Sequence, residues 1–517
     1  MTHFGRLLGA TALAFTGATA GAQTLTGALA TPPTSMDPLF QQLGANQELA
    51  IHVFDTLLRM DETMNVQPGL AESWAPTEDP TVWEFRLREG VTFHNGAPLT
   101  AEDVVFSFNR ALDVPGAPST YSRALANVDV PGTEAVDDLT VHVRTKEPFP
   151  VLPRMMTAVP IVSATIGEGA DPSSFNDGTL TYGTGPYLFE EYVPGDRVSY
   201  VANPDYWGEP PQWERVVYRF IESGPTRVAS LLAGDVDVIA EVPTTDVETL
   251  EADPAVNVAC GPTTRLIHWT MDVGREVAQH ITARDGSEIP NPLRDLRVRQ
   301  AIDMAIDRDV IVTQVMNGLA IPTKQFVPAG FSGYTANVTL PEADMDRARA
   351  LMEEAGYGDG FRMTIHATND RYVNDSEQAQ AVAQMLSRIG IEVDVVTQPV
   401  ANFFNRARNR EFTFMMVGFA ATSGEPSSIM SPVLVSGSVN NYGDWEHEEF
   451  NELYAEALRT VDPEAHEALM KEAIEVAMAD VPIIPSHHQV GCWATRAGLT
   501  PAAYPDTYTR ADAIVPE

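Results

Sequence analysis

From Arg215 onward the chain alternates strand patterns with helix patterns, and this alternation limits the folds open to it. Residues 216–221 read as a strand and 226–233 as a helix stopped by Gly234. Residues 236–240 read as a second strand. Thr245 and Glu248 form a capping box for a short helix, and 256–259 is strand again. The pattern then repeats. A helix is expected over 298–316, where Val298, Ala301, Ile302, Ala305 and Ile306 fall at helical spacing. Another spans 345–355, closed by Gly356. Strand 361–367, helix 377–389, strand 391–396 and strand 412–419 follow. Helices are expected over 450–458 and 464–479, and residues 481–485 lead back toward the C-terminus. Such alternation predicts sheets covered by helices, the α/β class. There is no repeat of 20–50 residues and no low-complexity linker.

Residues 68–112 carry a denser local pattern. Trp83, Phe85 and Leu87 alternate with Glu84, Arg86 and Arg88, the period of a half-buried strand. A turn follows at His94-Asn95-Gly96. Thr100 then stands at an N-cap position with Asp103 three residues on, ahead of Val104, Val105, Phe106 and Phe108.

The length of 517 residues suggests about three domains' worth of core. The N-terminus reads as a signal peptide over 1–22. Arg6 supplies the positive region, an apolar small-residue stretch follows, and Ala20-Gly21-Ala22 is the cleavage pattern, so the mature chain starts at Gln23. No cysteine follows the cleavage site, which predicts a soluble periplasmic protein without a lipid anchor. No other stretch reaches the ~18 apolar residues of a membrane span. A net charge of −38, with lysine only at 146, 324 and 471, disfavours nucleic acid and anionic lipid as partners. Cys260 and Cys492 are too far apart in sequence for a C-x-x-C motif. Two readings stay open, a disulfide or two separate buried thiols.

Catalytic and metal motifs fail on inspection. Gly183 to Leu188 lacks the third glycine of a dinucleotide loop. His447-Glu448-Glu449-Phe450-Asn451 begins like a zinc-protease motif, but Asn451 replaces the second histidine, and His466 to Met470 fails the same way. There is no nucleophile elbow and no P-loop. His487 and His488 are adjacent on an expected strand, so they face opposite ways and do not chelate one ion together. No cofactor or metal is expected. A periplasmic hydrolase and a holdase-type chaperone remain as other classes. Turnover of a bound peptide would mark the first, and binding of unfolded chains without a stoichiometric small solute the second.

Residues 68–112 resemble, almost position for position, the family-5 extracellular solute-binding proteins of bacterial ABC importers. The resemblance continues through Gly183-Thr184-Gly185-Pro186-Tyr187, Asn203-Pro204-Asp205-Tyr206-Trp207-Gly208, and residues 227–239, 295–311 and 482–489. It implies a bilobal periplasmic-binding-protein clamp of class II, the large type with an extra subdomain. Lobe I would comprise 23–59, 182–267 and 490–517, the subdomain 60–181, and lobe II 268–489. The function implied is that of a monomeric receptor that captures a small peptide or peptide-like solute between its lobes and delivers it to the transmembrane subunits of an ABC permease. Nickel complexes, opines and oligosaccharides are the non-peptide alternatives within the family.

Two segments are the ligand candidates under this resemblance. At the first crossover, Trp269 is either an aromatic wall or core, and Asp272 either a polar anchor or a hinge cap. The second runs from Gly418 to Pro426. In peptide-binding relatives this loop resembles glycine, tryptophan, two small residues and an aspartate that pairs with the peptide amino group. Here Phe419 stands in the tryptophan's place and Thr422 in the aspartate's. A hydroxyl accepts a hydrogen bond but does not neutralise an ammonium. Glu425 would restore a carboxylate nearby, against a role as a solvated loop acid. The Thr422-Ser423-Gly424-Glu425 wording is similar to glutathione-type binders. His487 completes the candidates, against ordinary packing.

Overall fold

Two strands, Val256–Met271 and Ile483–Arg496, run far beyond the lengths that their apolar patterns suggest. The computed structural model describes residues 23–117, 121–167 and 169–517, so the signal-peptide reading lies outside the described residues. The two strands pair antiparallel along nearly their whole length, from Val256 opposite Arg496 to Thr270 opposite Ile483. The register shifts twice, between Pro262 and Leu266 and between Ile267 and His268. Such irregularities bend a strand and increase its twist. The sequence pattern predicts only the ends of each strand, because Gly261, Pro262 and Thr263 interrupt the first and Pro485 to Gly491 the second.

These strands sit in the middle of a twelve-stranded mixed sheet and divide it into two halves. On one side, Val238–Ile239 pairs with the second crossing strand, followed by Thr24–Leu29, Arg215–Phe220, Arg197–Ala202 and Tyr187–Val193. On the other, Phe414–Ala420 pairs with the first crossing strand, followed by Phe361–Thr368, from which Ile391–Gln398 and Ile281–Thr282 branch. The molecule is thus a bilobal α/β clamp whose lobes share the two crossing strands. Separate apolar cores support the lobes. One gathers Leu25, Tyr200, Tyr218 and Trp493, and another Trp269, Ile302, Phe361, Leu386 and Phe414. A four-stranded antiparallel sheet of Ala71–Pro76, Val82–Leu87, Thr140–Arg144 and Glu134–Asp137 forms the extra subdomain. Phe85, Phe108 and Val141 from this subdomain join the first lobe's core without a break.

Local rules explain most elements. Thr100 and Asp103 close the expected capping box, and the helix Ala101–Leu112 follows. Gly96 takes φ +84 in the turn before it. Two expectations need correction. The box at Thr245 and Glu248 does not form, because the helix Val247–Glu251 starts from Asp246, which makes no side-chain cap bond. The helix expected over 298–316 breaks at Ile306, which is extended. Asp307 accepts from the Val310 amide at 3.0 Å and starts a new turn.

Cys260 and Cys492 face each other in the crossing-strand ladder with Cα atoms 4.2 Å apart, and form a disulfide. Of the two readings left open by the sequence, the covalent one is observed. It closes a loop spanning 232 residues of separation. Reducing it, or replacing both cysteines with serine, should lower the unfolding free energy by about 2–5 kcal/mol, read as a fall in the denaturant midpoint. An unchanged midpoint would show that the staple contributes nothing.

The crossing strands also bury histidines. Burial pushes His268 and His487 down to about 3, and His488 down to about 4. Each is neutral in the folded chain and titrates near 6.5 when unfolded. Below that value the unfolded chain binds more protons than the folded one, so stability is full above it and lost as pH falls toward 4. Glu48, pushed up to about 7 by burial, acts in the opposite sense. The histidines outnumber it, and each contributes on the order of 2 kcal/mol by about pH 5. Thermal unfolding between pH 7 and 4 should show Tm dropping below pH 6.5. A flat profile across that window would contradict the burial of neutral imidazoles.

Candidate solute site between the lobes

The crossing strands hold the lobes apart enough to leave a cavity of about 1110 Å³. Its back wall is the middle of the two strands, with Thr263, Thr264 and Arg265 from the first and Gln489, Val490, Gly491, Cys492 and Trp493 from the second. Sites between domains are the usual place for ligands, because both faces contribute groups and closure excludes water.

The first lobe supplies a polar floor. Asp55 is buried. Its Oδ2 accepts from the Thr184 hydroxyl at 2.9 Å and the Trp207 indole at 2.9 Å, and its Oδ1 accepts from Arg59 at 2.5 Å. Arg59 also donates to the Tyr206 hydroxyl, and its guanidinium lies 4.7 Å from the Trp207 ring centre. The Gly183-Thr184-Gly185 motif exists for this packing. A Cβ at Gly183 would stand 2.0 Å from the Val53 carbonyl oxygen, and one at Gly185 would stand 2.6 Å from the Val53 carbonyl carbon. Only glycine lets the two backbones approach, and Thr184 is thereby set under Asp55. His52, in the helix-to-strand connection above, has its Nε2 3.1 Å from the Tyr218 hydroxyl, and its ring stacks on Tyr200. The C-terminal segment brings Tyr504, Asp506, Tyr508, Arg510 and Asp512 to the same side. There Arg510 pairs with Asp506.

The second lobe supplies a different wall. Arg371 follows the strand Phe361–Thr368, and Thr422 follows the strand Phe414–Ala420. Both line the cavity with Arg265. Arg265 lies opposite Ala420 in the ladder, and the Ala421 amide donates to the Thr264 carbonyl at 2.9 Å, which fixes the Thr422 loop beside the crossing strand. Among the described residues neither Arg265 nor Arg371 has an ion-pair partner. Burial, and then the nearby Arg371 charge, hold the Arg265 guanidinium below its ordinary value. The two cations therefore repel each other on this wall, Arg265 half-buried and Arg371 exposed.

Of the residues singled out from the sequence, Thr422 reaches this cavity, where it is exposed. Trp269 does not line it. The ring is fully buried in the second lobe's core, stacked on Phe414 with centroids 5.6 Å apart, and the core alternative is the observed one. Asp272 sits just past the end of the crossing strand. It accepts from the Arg275 amide at 3.2 Å and pairs with the Arg275 guanidinium at 3.1 Å, so it caps the turn that leaves the hinge. Phe419 is half-buried, opposite Leu266 and 6.1 Å from the His268 ring. Ser423 is buried, and its carbonyl accepts from Arg154. Glu425 is a buried acid and not a solvated one. It accepts from Ser427 and lies 3.4 Å from His466. His487 is fully buried, with Nδ1 3.1 Å from the Ser486 hydroxyl.

Arg265 and Arg371 were missed in the sequence reading. The signal for Arg265 was present, since it is the lone charge in a stretch of threonines and apolar residues that crosses between the lobes. Arg371 sits in a polar loop where nothing sets it apart. No group of three or more potential metal ligands occurs among the described residues, and no helix there is long and apolar enough to cross a membrane.

Comparison with known proteins bears on this architecture directly. Residues 65–441 match the family described as bacterial extracellular solute-binding proteins, family 5 Middle. Heme-binding protein A of Haemophilus influenzae is 28% identical, over 83% of this chain and 80% of its own length. The dipeptide-binding protein of Escherichia coli is 28% identical, over 81% and 80%. The glutathione-binding protein GsiB of E. coli is 25% identical, over 87% and 86%. Among solved structures, HbpA2 from Haemophilus parasuis superposes with a TM-score of 0.84 at 26% identity, covering 96% of this chain and all of that one. The match spans most of the chain, and the clamp geometry is shared throughout. The chain belongs to family 5 of the bacterial extracellular solute-binding proteins.

Proposed function

We propose that this protein is the periplasmic receptor of an ABC importer and that it captures a small peptide-like solute with a free carboxylate, glutathione-type solutes included. Lobe closure would bury the solute, and the closed form would deliver it to the inner-membrane permease. The receptor works as a monomer and returns its solute chemically unchanged. Its lobes follow the division already described, with residues 23–59, 182–267 and 490–517 in the first, 60–181 as its subdomain and 268–489 in the second.

The observation that carries this reading is the pair of guanidiniums, Arg265 and Arg371, that line the cavity and have no ion-pair partner among the described residues. The like charges of half-buried Arg265 and exposed Arg371 repel each other, and an anion joining them relieves that repulsion. A carboxylate accepts two parallel hydrogen bonds from a guanidinium and suits this geometry. Thr422, which lines the same cavity, offers a hydroxyl and no negative charge, so an ammonium group gains a hydrogen bond there but no neutralising charge. The opposite wall carries Glu241, Asp506 and Asp512, of which Asp506 is paired with Arg510 and Glu241 lies 3.8 Å from Arg227, so the acids of this cavity are on that side. A neutral oligosaccharide would leave the arginines unpaired. The cavity of about 1110 Å³ is large enough for a short peptide.

Heme is the second reading. It carries two carboxylates for the two arginines, and a heme-binding protein is among the relatives. Calorimetry on ligand-stripped protein separates the readings. Di- and tripeptides or glutathione should bind, and amidating the peptide carboxylate or substituting Arg371→Gln should weaken binding about 10- to 100-fold. Equal affinity for free and amidated peptides would overturn the carboxylate assignment. A silent peptide set with a heme titration that saturates at one equivalent would move the protein to the second reading.

A further inference from the structure

The two lobes also meet at the tip of a hairpin. Strands Leu58–Met60 and Val66–Pro68 pair antiparallel at the entrance to the extra subdomain. Asp61 makes the turn rigid. Its Oδ1 accepts from the Thr63 amide, the Thr63 hydroxyl and the Asn65 amide, each at 2.9 Å. Met64, at the tip, has φ +60, the left-handed position that closes the turn, with its amide donating to the Asp61 carbonyl at 3.0 Å. The turn points Met64 at the other lobe. Met64 is 4% exposed and belongs to the second lobe's apolar cluster, with Phe326, Phe331, Ile429 and Met430. A residue of the first lobe's subdomain is thus seated as a peg in the core of the other lobe.

Arg154 fastens the peg. It lies on the helix Leu152–Met155 of the subdomain, and its Nη1 donates to the Met64 carbonyl at 2.7 Å and to the Ser423 carbonyl at 3.1 Å. One cation therefore bridges the hairpin tip and the loop that carries Thr422. The loop is shaped to receive it. Gly424 has φ +72, and a Cβ there would stand 2.6 Å from the Met64 Cβ and 2.9 Å from the Met64 carbonyl oxygen. Glu425, buried next to it and paired with His466, supplies negative charge behind the guanidinium.

We propose that this peg and its arginine are a clasp between the lobes. It fixes the angle between them and holds the 421–425 loop, with Thr422, at the cavity wall. Arg154 is its positioning residue. The lobes separate only when Met64 leaves its socket and the Ser423 carbonyl is released. This claim concerns the protein without solute and stands apart from the identity of the solute.

The test is solution scattering and hydrogen exchange on solute-free mature protein. Arg154→Gln should give a larger radius of gyration than the parent and exchange of the Gly424 amide about tenfold faster, the effect of losing a charge-assisted hydrogen bond. Exchange within the helix Pro463–Asp480 should stay that of the parent, which separates unclasping from general destabilisation. Arg154→Lys keeps a charged donor and should restore both readouts in large part. Gly424→Ala wedges the same contact from the other lobe, should reproduce the opening, and carries the test should Arg154→Gln fail to fold. Parent-like scattering and Gly424 exchange in a folded Arg154→Gln or Gly424→Ala variant would overturn the clasp.

Discussion

The pairing of Val256–Met271 with Ile483–Arg496 is the constraint on which the rest of the molecule depends. Both lobes hang their sheets on these two strands, and the disulfide between Cys260 and Cys492 fixes their register. Backbone pairing carries the strands between the lobes, and where the ladder is interrupted the Thr264 amide donates to the Pro505 carbonyl and the Arg265 amide to the Thr263 hydroxyl. The register shifts at Pro262 to Leu266 interrupt the ladder at the cavity's back wall. That is where a bend is least costly, and where motion between the lobes is best absorbed.

The cavity inherits its chemistry from this arrangement. The first lobe is committed. Asp55, Arg59, Thr184, Tyr206 and Trp207 spend their polar groups on one another. The facing wall is not. Arg265 is held by its backbone in the crossing strand and Arg371 by its loop, and among the described residues neither guanidinium has a carboxylate partner. One wall thus presents two cations with no ion-pair partner among the described residues, and the other presents acids already paired with arginines, Asp55 with Arg59 and Asp506 with Arg510.

The sequence carried the fold more fully than the site, and the reasons are physical. Helix and strand patterns at 101–112, 345–355, 361–367 and 391–396 survive in the structure, since local capping and periodicity agree with the packing there. The crossing strands were legible only at their ends, because a hinge needs glycine and proline where an ordinary strand has apolar alternation. Trp269 is an instance of the same difficulty. From Leu266 to Met271 the strand is buried on both faces, so no alternation in the sequence marks that the cavity lining ends at Arg265. Thr422 was found through its place in a family motif. Arg371 had no such marker, since its role depends on where a distant loop comes to rest. Glu425 and Ser423 belong to the contact with the subdomain, which no pattern within 418–426 announces.

The most direct test of this account is a crystal structure of the protein with its solute, taken from protein loaded with a di- or tripeptide or glutathione. The account predicts the solute between the lobes, against the crossing strands, with a carboxylate within about 3 Å of the Arg265 or Arg371 guanidinium. A solute bound elsewhere, or one whose ammonium faces those two arginines, would contradict it.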